Sequence, residues 1–143
     1  MKFTLNPKGI GKVNQALDEA WGDVVASLEL EMEAVIRDPS AFADQGFTDQ
    51  DIVDTERFVN SQVVTVENRV AKFAWNPTSP ETGYKYAIAL YSGFRAYGRG
   101  KYIPGRKWPE KAVDRVDVPE KLKAAMKERG IKAKVKIKRK VYS

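Results

Sequence analysis

The sequence predicts an α+β fold, in which a long N-terminal amphipathic helix packs on a small antiparallel β-sheet, with short helices and a basic C-terminal strand. Three observations support this prediction. Apolar residues recur at three- and four-residue spacing in the first quarter of the chain, β-branched and aromatic runs follow in the middle, and lysines alternate with apolar residues near the end. The length of 143 residues fits a single domain, 1–143.

The first predicted element is a long helix over residues 7–37. Asn6 can cap free backbone N–H groups, Pro7 is tolerated in the first helical turn, and Pro39 ends the helix. One face is apolar and the opposite face is acidic, so the helix is expected to pack on one side only. The apolar stripe consists of Val13, Ala16, Leu17, Ala20, Trp21, Val24, Val25, Leu28, Met32, Val35 and Ile36, and the acids are Asp18, Glu19, Asp23, Glu29, Glu31 and Glu33.

Shorter elements are predicted along the rest of the chain. Residues 38–54 form a loop, and residues 55–75 form a helix capped by Thr55 and then a β-hairpin of β-branched and aromatic runs. A short helix is expected at 84–91. Two further helices, each opened by a proline, are expected at 109–116 and 119–129.

The charge of the chain is divided between its halves. Residues 1–68 contain 5 Lys and Arg against 13 Asp and Glu, whereas residues 69–143 contain 20 against 6. The net charge of +6 therefore combines −8 in the first half with +14 in the second. Such a chain could stack an acidic face on a basic face of another copy, or could pair its basic part with nucleic acid.

A basic loop is predicted at residues 93–107. Residues 84–108 hold six Lys and Arg, seven aromatic residues and no acid, and four glycines favour a long loop. Cations interleaved with aromatic rings suit either an acidic protein surface or nucleic acid. The candidate partner or subunit interface consists of Arg95, Arg99, Lys101, Tyr102, Arg106 and Trp108.

Strict alternation predicts a Lys-rich strand over residues 131–142. One face is apolar and the other is cationic. Lysines on an exposed strand discourage unwanted edge pairing, but they also suit DNA or an acidic partner, and the sequence leaves both readings open. The candidate DNA-facing or acidic-partner-facing residues are Lys132, Lys134, Lys136, Lys138 and Lys140.

The composition excludes several classes of function. Cysteine and histidine are absent, so disulfides, thiol nucleophiles, imidazole bases and the usual zinc ligands are absent too. No apolar run approaches the roughly 18 residues of a membrane span, and no signal peptide is recognised at the start. Asp49, Asp51 and Asp54 lack the glycine and glutamate that a calcium loop needs. We expect neither a cofactor nor a metal.

Three segments of the chain resemble the head–tail joining and tail-completion (neck) proteins of tailed phages. Residues 54–62 are similar to that family's Asp-Thr-Gly segment, and residues 86–93 are similar to its Tyr-Ala element ending in glycine. Residues 103–108, followed by Ala112, resemble its closing element of Pro, Arg and an aromatic residue. In order and spacing the resemblance covers about residues 10–115.

The resemblance implies a non-catalytic virion protein, assembled in the host cytoplasm, that forms a homo-oligomeric ring at the neck. Its partners would be copies of itself, the connector or head-completion protein, and the tail tube or terminator proteins, with contact to channel DNA and none to a membrane. Heterologous contacts between an acidic helix and a basic loop would build such a ring. The alternatives are a small basic nucleic-acid-binding protein, and a hydrolase using Asp49, Asp51 and Glu56 to hold a metal.

Overall fold

The chain begins with a β-strand. The computed structural model describes residues 1–8, 15–38, 40–42, 55–79, 82–95, 99–100, 102–131 and 135–142. Its elements are β1 (Lys2–Lys8), α1 (Gln15–Arg37), α2 (Thr55–Asn60), β2 (Val63–Glu67), β3 (Val70–Ala74), α3 (Ala87–Ser92), β4 (Gly93–Arg95), β5 (Tyr102–Pro104), α4 (Trp108–Val116), α5 (Val118–Glu128) and β6 (Lys136–Tyr142).

The prediction that the long helix comes first and starts at Asn6 and Pro7 is wrong. Both residues lie in β1, and the helix is described only from Gln15. The physical reason is the alternation in the first residues: Phe3 and Leu5 are fully buried, whereas Lys2 between Met1 and Phe3 is exposed. Burial of alternate side chains in a sheet outweighs the local preference for a helix start.

The strand β1 is central to a four-stranded sheet with the order β2-β3-β1-β6. All three pairings are antiparallel. The hairpin of β2 and β3 turns through Asn68 and Arg69, whose φ angles of 51° and 64° are both left-handed, as in a type I′ turn. Ala71 and Phe73 pair with Leu5 and Phe3, so their side chains share the buried face of the sheet.

Helix α1 buries one stripe in the same core. Its buried residues are Leu17, Ala20, Trp21, Val24, Val25, Leu28, Met32, Val35 and Ile36, and they join the buried sheet face, α4 and α5 in one cluster. Two hydrogen bonds fix α1 beside the hairpin: Arg69 Nε donates to Asp18 Oδ1 at 2.7 Å, and Gln62 Nε2 donates to the Glu29 carbonyl at 3.2 Å. The predicted α+β class, with a long helix and an antiparallel sheet, is confirmed.

Two helices and an edge strand complete the described chain. Asp117, at φ 54°, separates α4 from α5, and aspartate tolerates this left-handed conformation better than most residues. Strand β6 covers Lys136–Tyr142 of the predicted 131–142 strand, while Lys132 and Lys134 lie outside the described residues. None of the described helices is long and apolar enough to cross a membrane.

Candidate functional site

The predicted basic loop contains a β-hairpin. Strands β4 and β5 pair antiparallel, with Gly93 opposite Pro104 and Arg95 opposite Tyr102. The backbone requires glycine at position 93, because φ is +91° and a Cβ atom would collide with the Tyr102 hydroxyl and the Ile103 carbonyl. Glycine at this position therefore allows α3 to be followed directly by β4.

Three further hydrogen bonds hold the hairpin to α3 and to itself. The Tyr102 hydroxyl donates to the Ser92 carbonyl at 3.2 Å, and the Arg106 backbone N–H donates to the Leu90 carbonyl at 2.7 Å. Arg95 Nη1 donates to the Gly100 carbonyl at 3.4 Å. These contacts fix the base of the hairpin, so that the side chains of β4 and β5 have defined positions on the surface.

The hairpin and the loop before α3 enclose an open apolar cleft of about 410 Å³. Tyr84, Tyr86, Leu90 and Phe94 form its walls together with Ser79 and Ala89, and Arg95 lies at its edge. Tyr84 is 59% exposed, and Phe94 also faces solvent. We call this set of residues the hairpin cleft. Exposed aromatic rings beside an arginine are the composition that protein interfaces favour.

Two residues predicted for this surface are buried instead. Arg106 is 6% exposed and Trp108 is 0% exposed. The Trp108 ring meets the rings of Phe58, Trp75 and Tyr91 edge to face at centroid distances of 4.8, 5.5 and 5.8 Å. Arg106 and Trp108 are therefore buried and do not form a contact surface, because the chain that follows β5 packs inward.

Three of the other predicted interface residues lie outside the core. Arg95 and Arg99 are exposed, and Tyr102 is 50% exposed on β5. Lys101 lies outside the described residues. The structure thus brings Arg95 and Tyr102 together on neighbouring strands, whereas Arg106 and Trp108 are buried in the interior.

Tyr91 connects this region to α4. Its hydroxyl donates a hydrogen bond to Glu110 Oε1, and Lys107 Nζ lies 3.8 Å from the centroid of its ring. Burial, followed by the hydrogen bond to Glu110 and the charge of that carboxylate, raises the pKa of Tyr91 well above its ordinary value. The phenol therefore stays neutral, and its O–H group remains the hydrogen-bond donor to Glu110.

The acidic face of α1 does not offer a free acidic surface. Four arginines from other parts of the fold or from the helix end pair with its carboxylates, which corrects the expectation that acid and base occupy separate faces. The contacts are Arg69–Asp18 at 2.7 Å, Arg129–Asp23 at 2.8 Å, Arg129–Glu19 at 3.6 Å, Arg115–Glu31 at 3.7 Å and Arg37–Glu33 at 3.8 Å.

A small apolar surface remains on α1. Leu30 is 68% exposed, and Ala26 and Ala34, one helical turn away on either side, are exposed as well. The carboxylate of Glu29 beside it has no ion pair within the described part of the chain. We call Ala26, Glu29, Leu30 and Ala34 the Leu30 surface.

The structure describes only some of the candidate lysines and some of the carboxylates considered as metal ligands. Lys136, Lys138 and Lys140 are exposed on β6. Asp49 and Asp51 lie outside the described residues, and the hydrogen bond from Arg37 lowers the pKa of Glu56. Within the described ranges, no three acidic side chains converge to hold a metal ion.

Sequence reasoning did not single out Leu30, Tyr84 or Phe94 as contact residues. Leu30 carried a usable signal, because it is apolar yet falls outside the helical stripe. Tyr84 and Phe94 carried only the signal of composition, as two of the seven aromatic residues in 84–108, and the fold is what brings them to one cleft. Comparison with known proteins finds no matching family model, no matching curated protein and no matching solved structure.

Proposed function

We propose that this chain is a non-catalytic structural subunit of a homo-oligomeric ring in the neck or tail-completion region of a tailed bacteriophage, between the head connector and the tail. The resemblance of residues 54–62, 86–93 and 103–108 to that family supports the proposal. The observation that carries it is the presence of two complementary exposed surfaces on one subunit, the hairpin cleft and the Leu30 surface.

We infer that the two surfaces fit one another. The hairpin cleft is a concave apolar site with a cation at its edge, whereas the Leu30 surface projects one large aliphatic side chain beside an acid. Full burial of a leucine contributes about 1.5–3 kcal/mol. With Leu30 in the cleft of a neighbour, Glu29 would lie near Arg95 of that neighbour, and the charges would select the orientation.

A contact of this kind joins different surfaces on identical chains. Such heterologous contacts close into rings when the rotation between subunits returns to its start. A stable interface buries upwards of about 1,000 Å², so the aromatic residues and the exposed strands of the hairpin would surround the leucine contact. The α1 carboxylates other than Glu29 remain with their own arginines, and assembly does not need to break those pairs.

The test compares assembly of the wild-type chain with that of Leu30→Glu. Light scattering after gel filtration and electron microscopy should show rings or higher oligomers for the wild type and a monomer for Leu30→Glu. Glutamate suits a helix and Leu30 is exposed, so the monomer should keep its fold. Val66→Glu is the matched control, because Val66 is 49% exposed on β2 near the Asn68–Arg69 turn and belongs to neither surface.

Two results would contradict the proposal. Rings that persist in Leu30→Glu would exclude the Leu30 surface as the contact. A wild-type chain that stays monomeric at every concentration and binds neither connector-side nor tail-side phage proteins would exclude the ring itself.

A further inference from the structure

The strand register places lysines from three strands on the outer face of the four-stranded sheet. Side chains of directly paired residues lie on the same face. Thr4 pairs with Lys72 on one side and with Lys140 on the other, and Lys2 pairs with Tyr142. The resulting lysine face consists of Lys2, Lys72, Lys136, Lys138 and Lys140, all of them exposed.

The lysine face is cationic and open. Thr4, Asn6, Thr65 and Tyr142 lie between the lysines, and Glu67 at the end of β2 is its single carboxylate among the described residues. Within that part of the chain no lysine of the face is held in an ion pair. Lys140 Nζ lies 4.7 Å from the centroid of the Tyr142 ring, which shows that both point to the same side.

Protection of a sheet edge does not explain this surface. Lysines on β6 would block pairing with another chain, because β6 is an edge strand. Lys72 lies on β3 and Lys2 on β1, and both of these strands are paired on each side. A cationic side chain on a central strand has no role in protecting an edge, so edge protection accounts at most for the three lysines of β6.

Four arginines of the described chain and the lysines of the face are used differently. Arg37, Arg69, Arg115 and Arg129 form ion pairs with carboxylates of the same chain. The lysine face holds no arginine, so it lacks the planar fork that recognises a carboxylate or a guanine base through two hydrogen bonds. Lysines act as point charges, which suits contacts to phosphates without reading of sequence.

The dimensions of the face also suit a duplex. Alternate residues on β6 are about 6.8 Å apart along the strand, and β3 and β6 are about 10 Å apart across the sheet. A DNA duplex carries one phosphate per about 1.7 Å of its axis, so a surface of this size meets several phosphates at once.

We propose that the lysine face binds the phosphate backbone of double-stranded DNA without sequence preference. The five lysines and the threonine and tyrosine hydroxyls between them supply the contacts. A single subunit should bind weakly, with a dissociation constant of about 10⁻⁴–10⁻⁶ M near physiological salt, and repetition of the face in an oligomer would raise the avidity. The inference does not depend on ring formation, because the face is complete within one chain.

The experiment measures the salt dependence of binding. A labelled duplex of about 30 base pairs, roughly three helical turns, is titrated with the full chain between about 50 and 200 mM salt. Five phosphate contacts predict a slope of about −4.5 in a plot of log affinity against log salt concentration. Lys136→Gln, Lys138→Gln and Lys140→Gln together should bring the slope to about −1.8, and Lys72→Gln alone should reduce it by about 0.9.

The matched control removes the same charge from another surface. Lys121, Lys123 and Lys127 are exposed on α5, and their joint replacement by glutamine should leave the slope unchanged. Equal losses in both triple variants would overturn the proposal in favour of a net-charge effect, and so would a wild-type slope in the Lys72→Gln variant. Tighter binding of labelled polyglutamate than of the duplex at equal salt would overturn it in favour of an acidic protein partner.

Discussion

The two parts of the basic segment 93–108, the hairpin of residues 93–104 and the residues 105–108 after it, differ in what surrounds them, although both combine cations with aromatic rings. In the first part, Arg95 and Tyr102 lie on a surface hairpin and face solvent. In the second part, Arg106 and Trp108 are buried, and the Trp108 ring packs on the rings of Phe58 and Trp75. The difference teaches that a cation and an aromatic ring close together in sequence do not indicate a binding surface until the packing of each is known.

The largest expected effect is a difference in stability between variants in the two parts of the segment. Trp108→Ala should lower the free energy of unfolding by about 3–5 kcal/mol, because it removes a fully buried ring and leaves a cavity. Tyr102→Ala should cost about 1 kcal/mol, since a half-exposed ring and one hydrogen bond to Ser92 are lost. Urea denaturation measures both values. Equal losses in the two variants would mean that the hairpin is part of the core.

An intermediate effect is expected at Tyr91, which lies on α3 just before the hairpin and packs on Trp108. Tyr91→Phe removes the hydrogen bond to Glu110 and should cost about 1 kcal/mol near neutral pH. Because the folded state raises the pKa of Tyr91, the unfolded chain loses this proton first as the pH rises above about 10, so the contribution of the phenol to stability declines there.

The measurement is the free energy of unfolding as a function of pH for the wild type and Tyr91→Phe. The decline above about pH 10 should be shallower in the variant, because the shifted phenol is gone. Tyr84→Phe is the control, since it removes the same hydroxyl group from a tyrosine that is 59% exposed. Identical curves for Tyr91→Phe and the wild type would show that the contact with Glu110 does not form in solution.

The parts of the fold that depend on local pattern could be predicted from the sequence. The apolar stripe from Leu17 to Ile36 has a helical period, and the structure buries it as one face of α1. The start of that helix could not be predicted from Asn6 and Pro7, because β1 exists only through pairing with β3 and β6, more than 60 residues away. Local capping preferences are small beside the burial of Phe3 and Leu5.

The candidate surfaces could be predicted only where they follow one strand or loop. The alternation near the C-terminus indicated the lysines of β6, but Lys2 and Lys72 join them through a register that no local pattern encodes. The division of charge between the halves of the chain suggested an acidic face on α1. Arginines from distant elements instead pair with those acids, because a folded chain places its own opposite charges within reach of one another.

The smallest effect on stability is expected from an exchange of charge across the proposed subunit contact. Arg95→Glu and Glu29→Lys should each change the free energy of unfolding by less than about 0.5 kcal/mol, because both side chains are exposed. Each variant alone should weaken assembly, since like charges would then meet at the edge of the hairpin cleft. The double variant restores opposite charges and should recover assembly, as measured by light scattering.

Arg99→Glu with Glu29→Lys is the control, because it makes the same change of net charge outside the cleft lining. If assembly recovers in the Arg95→Glu, Glu29→Lys double variant but not in the Arg99→Glu, Glu29→Lys double variant, the contact lies at the cleft. If assembly recovers in both double variants, the charges act only through long-range attraction and do not form the proposed contact.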